Sequence, residues 1–183
     1  LDGSGQGNNL FALGDPQILD NQTPTGQPAI VFDGDEDALL REAATNSINN
    51  LPSGSQDRTM FFVVDYNSGR QKHAGALYGD NEPNQTFGLA TGKRDQSLTV
   101  YGDTPIYDSG VASDGWLVQS VLLDNNNFSH YENGQLIDTG ENVFDTDIQK
   151  LVIGQDMSGV AEKGMSVAAV LIYNRALTEN ERQ

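Results

Sequence analysis

The apolar runs in this chain are short, and turn residues close them. TMFFVVDY at 59–66, AGALYG at 74–79, TFGLATG at 86–92, LTVYG at 98–102, GWLVQSVLL at 115–123, KLVIG at 150–154 and MSVAAVLIY at 165–173 follow one another with Gly-, Asn- and Asp-rich text between them. Strand-length runs of β-branched and aromatic residues, spaced by turn signals, predict an all-β, two-sheet antiparallel sandwich. TMFFVVDY has the strongest strand character and is placed near the centre of a sheet. LFAL and QIL, in the polar first segment, read as edge strands, and AIVF at 29–32 as a buried strand followed by a DGDED turn and a returning strand, ALLRE. In FSHYENGQLI, Asn133 and Gly134 supply the positive φ angles of a type I′ turn, which predicts a hairpin.

The ending departs from this pattern. In ALTENERQ, Thr178 is a suitable N-cap and Glu181 lies three positions on, the spacing at which the two side chains satisfy orphan N–H groups of a helix start. A short C-terminal helix is predicted, with Leu177 as the apolar anchor that pins it to the sandwich.

At 183 residues with 37% hydrophobic side chains, the chain can build one sizeable core, and a single domain over 1–183 is expected. With no cysteine, stability has to come from packing or from oxygen-ligated cations. The formal charge of -16 repels phosphate backbones and anionic lipid surfaces, which argues against nucleic acid as a partner. There is no apolar run of about 18 residues, so no membrane span is expected. The chain opens at LDGSGQGNNL without Met or a leader and reads as a piece of a larger protein.

Four blocks together resemble a known family, the laminin-G-like domains of the concanavalin A-like lectin/glucanase superfamily, bacterial type. DGSGQGNNL is similar to the family's first turn, AIVFDGDEDALL to its strand, FDG turn and second strand, GWLVQSVLLDNNNFSHYENGQL to its Trp-led strand and Tyr-x-Asn-Gly hairpin, and GMSVAAVLIYNRALTENERQ to its penultimate strand, YNRAL turn and terminal helix. The blocks lie in family order along essentially the whole chain. Where relatives carry an acidic residue before VLIY, this chain has Ala169. The resemblance implies a jelly roll, often with a structural calcium ion, serving as a binding module in an extracellular or cell-surface protein.

Glucanases on this fold resemble one another in a strand bearing three alternating carboxylates, because retaining hydrolysis sets an acid and a nucleophile about 5 Å apart. No strand here carries that pattern, and DGDED reads as a turn. The histidines, His73 and His130, lie near no Gly-x-Ser-x-Gly elbow, and His130 reads as a cross-strand polar residue. A non-catalytic chain is therefore expected. Calcium takes six to eight oxygens, which Asp- and Gly-rich turns can present, so Asp2, Asp33 and Asp35 are the candidate ligands; for Asp33 an Asx-turn serves equally well. DNNN at 124–127 reads as a turn only. For a sugar, whose C–H face is apolar and whose rim is polar, the candidates are Tyr78 and Tyr101, expected at a rim because each ends its strand beside Gly, with Asp65, Arg70, His73 and Asp103 near strand ends. Trp116, at the head of an apolar run, reads as core.

These readings lead to a carbohydrate-binding or adhesion module of a secreted or surface protein, calcium-stabilised, with a glycan or polysaccharide as partner and contacts to other domains of the same protein. The competing readings are a structural or protein-interaction module without a sugar site and, behind it, a polysaccharide-degrading enzyme.

Overall fold

A computed structural model describes residues 2–66, 74–92, 97–102, 106–159 and 164–183. The first segment forms β1 (Phe11–Leu13), β2 (Gln17–Leu19), β3 (Ala29–Phe32) and β4 (Ala38–Glu42). The middle forms β5 (Arg58–Asp65), β6 (Gly75–Gly79), β7 (Thr86–Thr91), β8 (Ser97–Tyr101) and β9 (Ile106–Val111). The last part forms β10 (Trp116–Asp124), β11 (Asn127–Glu132), β12 (Gln135–Glu141), β13 (Lys150–Ile153), β14 (Met165–Tyr173) and α1 (Glu179–Arg182). The strands pair antiparallel in two seven-stranded sheets, one ordered β1-β4-β13-β6-β7-β8-β9 and the other β12-β11-β10-β5-β14-β3-β2. This is the predicted sandwich: β5 is central in its sheet, and the short β1 and β2 close the same side of the two sheets as edges.

Alternation along β5 sends Met60, Phe62 and Val64 inward, where they meet Ala76, Tyr78, Phe87, Leu89, Leu98 and Val100 of the opposite sheet. Burying each large side chain contributes roughly 1.5–3 kcal/mol. β6 and β7 are buried on both faces, and on the outside of the first sheet Ala38, Leu77, Ala90, Tyr101 and Val152 form a second buried cluster with Met157, from the segment after β13.

Asn133 (φ 49) and Gly134 (φ 78) form the expected β11–β12 turn, and Asn125 (φ 48) and Asn126 (φ 68) turn β10 into β11 in the same way. Leu177 is buried and donates its N–H to Thr59 Oγ1 at 3.0 Å, which anchors the start of α1. The Glu181 carboxylate accepts from the Thr178 N–H at 3.0 Å and from both Arg175 Nη atoms at 2.8 Å. One strand was not legible. IYDSGV carries Asp, Ser and a Gly110 at φ 55, all poor strand signals, yet β9 forms because an edge strand needs only the one partner, β8.

Candidate functional site

On the outer face of the second sheet, one row runs across three strands, from Trp116 on β10 to Asp65 on β5 and Ser166 on β14. Directly opposed residues share a face, so the indole and the Asp65 carboxylate point away from the core. Trp116 is half-buried, which corrects its reading as core. Its burial comes from the β2–β3 connection, which reaches across the sheet so that Gln22 O accepts from indole Nε1 at 3.0 Å.

That connection is held by its own turn. Gly26 N–H donates to Thr23 O at 2.9 Å around Pro24 and Thr25, and Gln27 N–H donates to Thr23 Oγ1 at 2.8 Å. Pro at the second turn position presets φ, and Gly26 at φ 76 takes a left-handed conformation that other residues enter at a cost. Between this loop and the sheet lies an open groove of about 570 Å³, within the range of small-ligand sites. Thr23, Thr25 and Gln27 line one wall and Trp116, Val118 and Asn133 the other, over a floor of Val63 and Ala168. Ala168 is the extra residue of a bulge in β14, where the register against β5 shifts between Val167 and Ala169. A bulge bends its strand and re-aims side chains, and this one lies in the groove floor. The Asn133 side chain accepts from the Val118 N–H through Oδ1 at 2.9 Å, which fixes its amide at the groove wall.

Charge is sparse in the groove. Its described lining residues are all neutral. Asp65, across from Trp116, has its carboxyl raised above the usual range by burial, and among the described residues no cation pairs with it. The chemistry on offer is an aromatic ring, an apolar floor, and neutral hydroxyl and amide groups that both donate and accept.

Other expected site residues lie elsewhere. Tyr78 is fully buried, packed against Phe87 with ring centroids 5.9 Å apart, and its hydroxyl accepts from Arg58 Nη1 at 3.1 Å. Tyr101 is 6% exposed, in the buried cluster on the outside of the first sheet. Neither presents a ring at a rim, because the sheet that carries them is covered on both faces. Arg70, His73 and Asp103 lie outside the described residues.

Asp2, Asp33 and Asp35 do not gather into a group that could hold a metal ion. The Asp2 carboxylate caps its own turn instead, with Oδ1 accepting from Ser4 N–H and Oδ2 from Asn8 N–H, each at 2.8 Å. The Ser4 hydroxyl and these N–H groups pull it down to about 2. Asp33 Oδ1 accepts from the Asp35 N–H at 2.7 Å, the Asx-turn alternative. The carboxylate that ties elements together here is the buried Asp37, which accepts from Asp15 N–H at 2.7 Å and Asp33 N–H at 3.1 Å.

His130 is wholly buried between the sheets. Tyr66 Oη donates to Gln119 Oε1 at 2.7 Å, the Gln119 amide meets His130 Nε2 at 3.0 Å, His130 Nδ1 meets Ser109 Oγ at 3.1 Å, and Ser109 Oγ donates to Asp138 Oδ2 at 2.9 Å. Since Asp138 takes the Ser109 proton and Gln119 offers an N–H, the donors agree only if the imidazole is neutral with its proton on Nδ1. Burial pushes His130 down to about 4, against the opposing pull of Asp138 and Glu132. The chain joins β10 and β11 to β9 and serves the core.

No family model matches the chain, and no curated protein matches it in sequence. Solved structures do share its architecture. A mutant GH54 α-L-arabinofuranosidase soaked with 4-nitrophenyl α-L-arabinofuranoside superposes with a TM-score of 0.79 at 10% identity, covering 99% of this chain and 48% of that one. Domain 4 of AbnA, a GH43 extracellular arabinanase from Geobacillus stearothermophilus, in complex with arabinotriose, gives 0.67 at 22% identity, covering 96% and 87%. A Trypanosoma rangeli sialidase mutant displaying trans-sialidase activity gives 0.67 at 17% identity, covering 94% and 28%. This chain therefore spans about half the length of the first and under a third of the last. At these identities the likeness establishes the fold: a β-sandwich found as a domain in carbohydrate-active proteins.

Proposed function

We propose that the chain is a non-catalytic carbohydrate-binding module of a secreted or cell-surface protein, and that it holds its glycan in the Trp116 groove. The observation that carries this reading is the half-buried indole at the wall of an open, apolar-floored groove of about 570 Å³ with neutral hydroxyl and amide groups around it. Sugars bind such sites by laying their C–H face on the ring and their hydroxyls on the polar rim. Support comes from the company the fold keeps, including an arabinanase domain in complex with arabinotriose. The absence of an alternating carboxylate strand in the sequence supports a binding role over hydrolysis. The ordered FDG, Tyr-x-Asn-Gly and YNRAL blocks support a laminin-G-like type.

A glycan array followed by titration calorimetry of wild type and Trp116→Ala tests the reading. Binding that the substitution weakens at least tenfold, with the melting transition retained, is expected. Silence across the array, or binding indifferent to Trp116, would sink it.

A second reading has its own observation. Val118, Leu171 and Tyr173 expose 36%, 47% and 39% of their surface on the same outer face, an apolar strip of the kind that packs against another domain. An array-silent protein that binds a neighbouring domain of its parent would favour that reading.

A further inference from the structure

We propose that the Trp116 groove selects uncharged glycans and rejects those carrying carboxylate or sulfate groups, an inference that rests on the binding reading above. The described lining offers Thr23, Thr25, Gln27 and Asn133 as polar partners. These suit a polyol, whose hydroxyls need donors and acceptors but no countercharge.

Among the described residues, the charge placed beside the groove by strand pairing is negative. Asp65 stands directly across from Trp116 on the same face. Asp114 lies two residues before the indole, and the whole chain carries a formal charge of -16. Two described cations beside this face are engaged elsewhere: Arg175 pairs with Glu181 at 2.8 Å, and Arg182 stacks 4.9 Å over the Tyr131 ring and donates to Leu177 O at 2.7 Å. Tyr131 opposes Ser120, two outward positions farther along β10 than Trp116.

An anionic sugar entering the groove would shed hydration, gain no cation from the described walls, and face Asp65 across one strand spacing. Like charges at that range repel, and desolvation without a partner adds to the penalty. A neutral sugar meets neither cost.

The test compares matched probes on the intact protein, trigalacturonate against its uncharged methyl ester and the acidic against the neutral members of a glycan array. Measurements are made at low salt and at high salt, between which the screening length falls from about 30 to about 3 Å. Neutral hits whose affinity does not move with salt, and at least a tenfold weaker affinity for the acidic member of a pair, are expected. Gln27→Arg, at an exposed wall position, should narrow that gap. Acidic glycans that bind wild type more tightly than neutral ones, and lose binding in Trp116→Ala, would overturn the selectivity while leaving the carbohydrate reading in place. An array with no hits would instead remove both.

Discussion

Arg58 Nη1 lies 3.1 Å from the Tyr78 hydroxyl inside the sandwich, and among the described residues no carboxylate shares the guanidinium. The cation is satisfied by Gln56 O at 2.8 Å, Gly54 O at 2.6 Å and Thr146 Oγ1 at 2.9 Å, with the Phe87 ring 4.9 Å beneath it. Tyr78 therefore belongs to the core through its polar end as well as its ring. Tyr78→Phe removes one acceptor from a buried cation and should cost about 1–3 kcal/mol in urea unfolding, with glycan affinity unchanged.

The same pair sets an alkaline limit. Burial pushes Tyr78 up to about 12, partly opposed by Arg58, and pushes Tyr66 well above its ordinary value of 10.0. An unfolded tyrosine ionises near pH 10 while the buried one stays protonated, so this stability is complete below about pH 10 and is lost as pH rises toward 12. Unfolding midpoints followed with tyrosinate absorbance should fall through that window, and less steeply in Tyr78→Phe.

His130 sets the acid limit. Its folded value of about 4 lies below the ordinary 6.5, so the neutral form's contribution is complete above about pH 6.5 and declines as pH falls to 4. The loss amounts to about 3 kcal/mol at most. His130→Gln should be less stable at neutral pH yet show a flatter profile between those values. An unchanged slope would contradict the buried neutral imidazole.

Asp2 caps its own turn through the Ser4 and Asn8 N–H groups, bonds that need no metal to form. Asp2→Ala should lower the melting temperature equally in calcium and in chelator, and chelator alone should leave the wild-type melt in place. A chelator-sensitive melt that Asp2→Ala abolishes would restore the ligand assignment.

The groove wall is preorganised by the Thr23–Gly26 turn. Pro24→Gly frees the unbound loop and should weaken glycan binding two- to fivefold, the equivalent of about 0.4–1 kcal/mol, alongside a global destabilisation of similar size.

Strand positions were legible because the signals are local. Alternation in TMFFVVDY, the Asn133–Gly134 pair and the Thr178/Glu181 spacing each act within a few residues, and each appears where expected. The site was not legible, because its decisive contacts are distant. Trp116 is half-buried only because Gln22 arrives from 94 positions away, and Tyr78 is core only because Arg58 finds it. Asp2 and Asp33 were ambiguous in sequence for another reason: carboxylates that cap turns and carboxylates that ligate calcium occur in the same Asp-Gly text. The neutral residues clustered in QTPTGQP were the remaining available signal for the groove.

The bulge at Ala168 separates two structural constraints on the groove. It places the fixed floor of the groove on β14 and β5, deep in the sheet's hydrogen-bonded ladder, while the opposing wall is a self-contained turn tethered to the indole through Gln22. Floor and wall thus answer to different constraints. Substitutions in the few residues between Thr23 and Gln27 reshape the groove wall without disturbing the strand pairing on which folding depends.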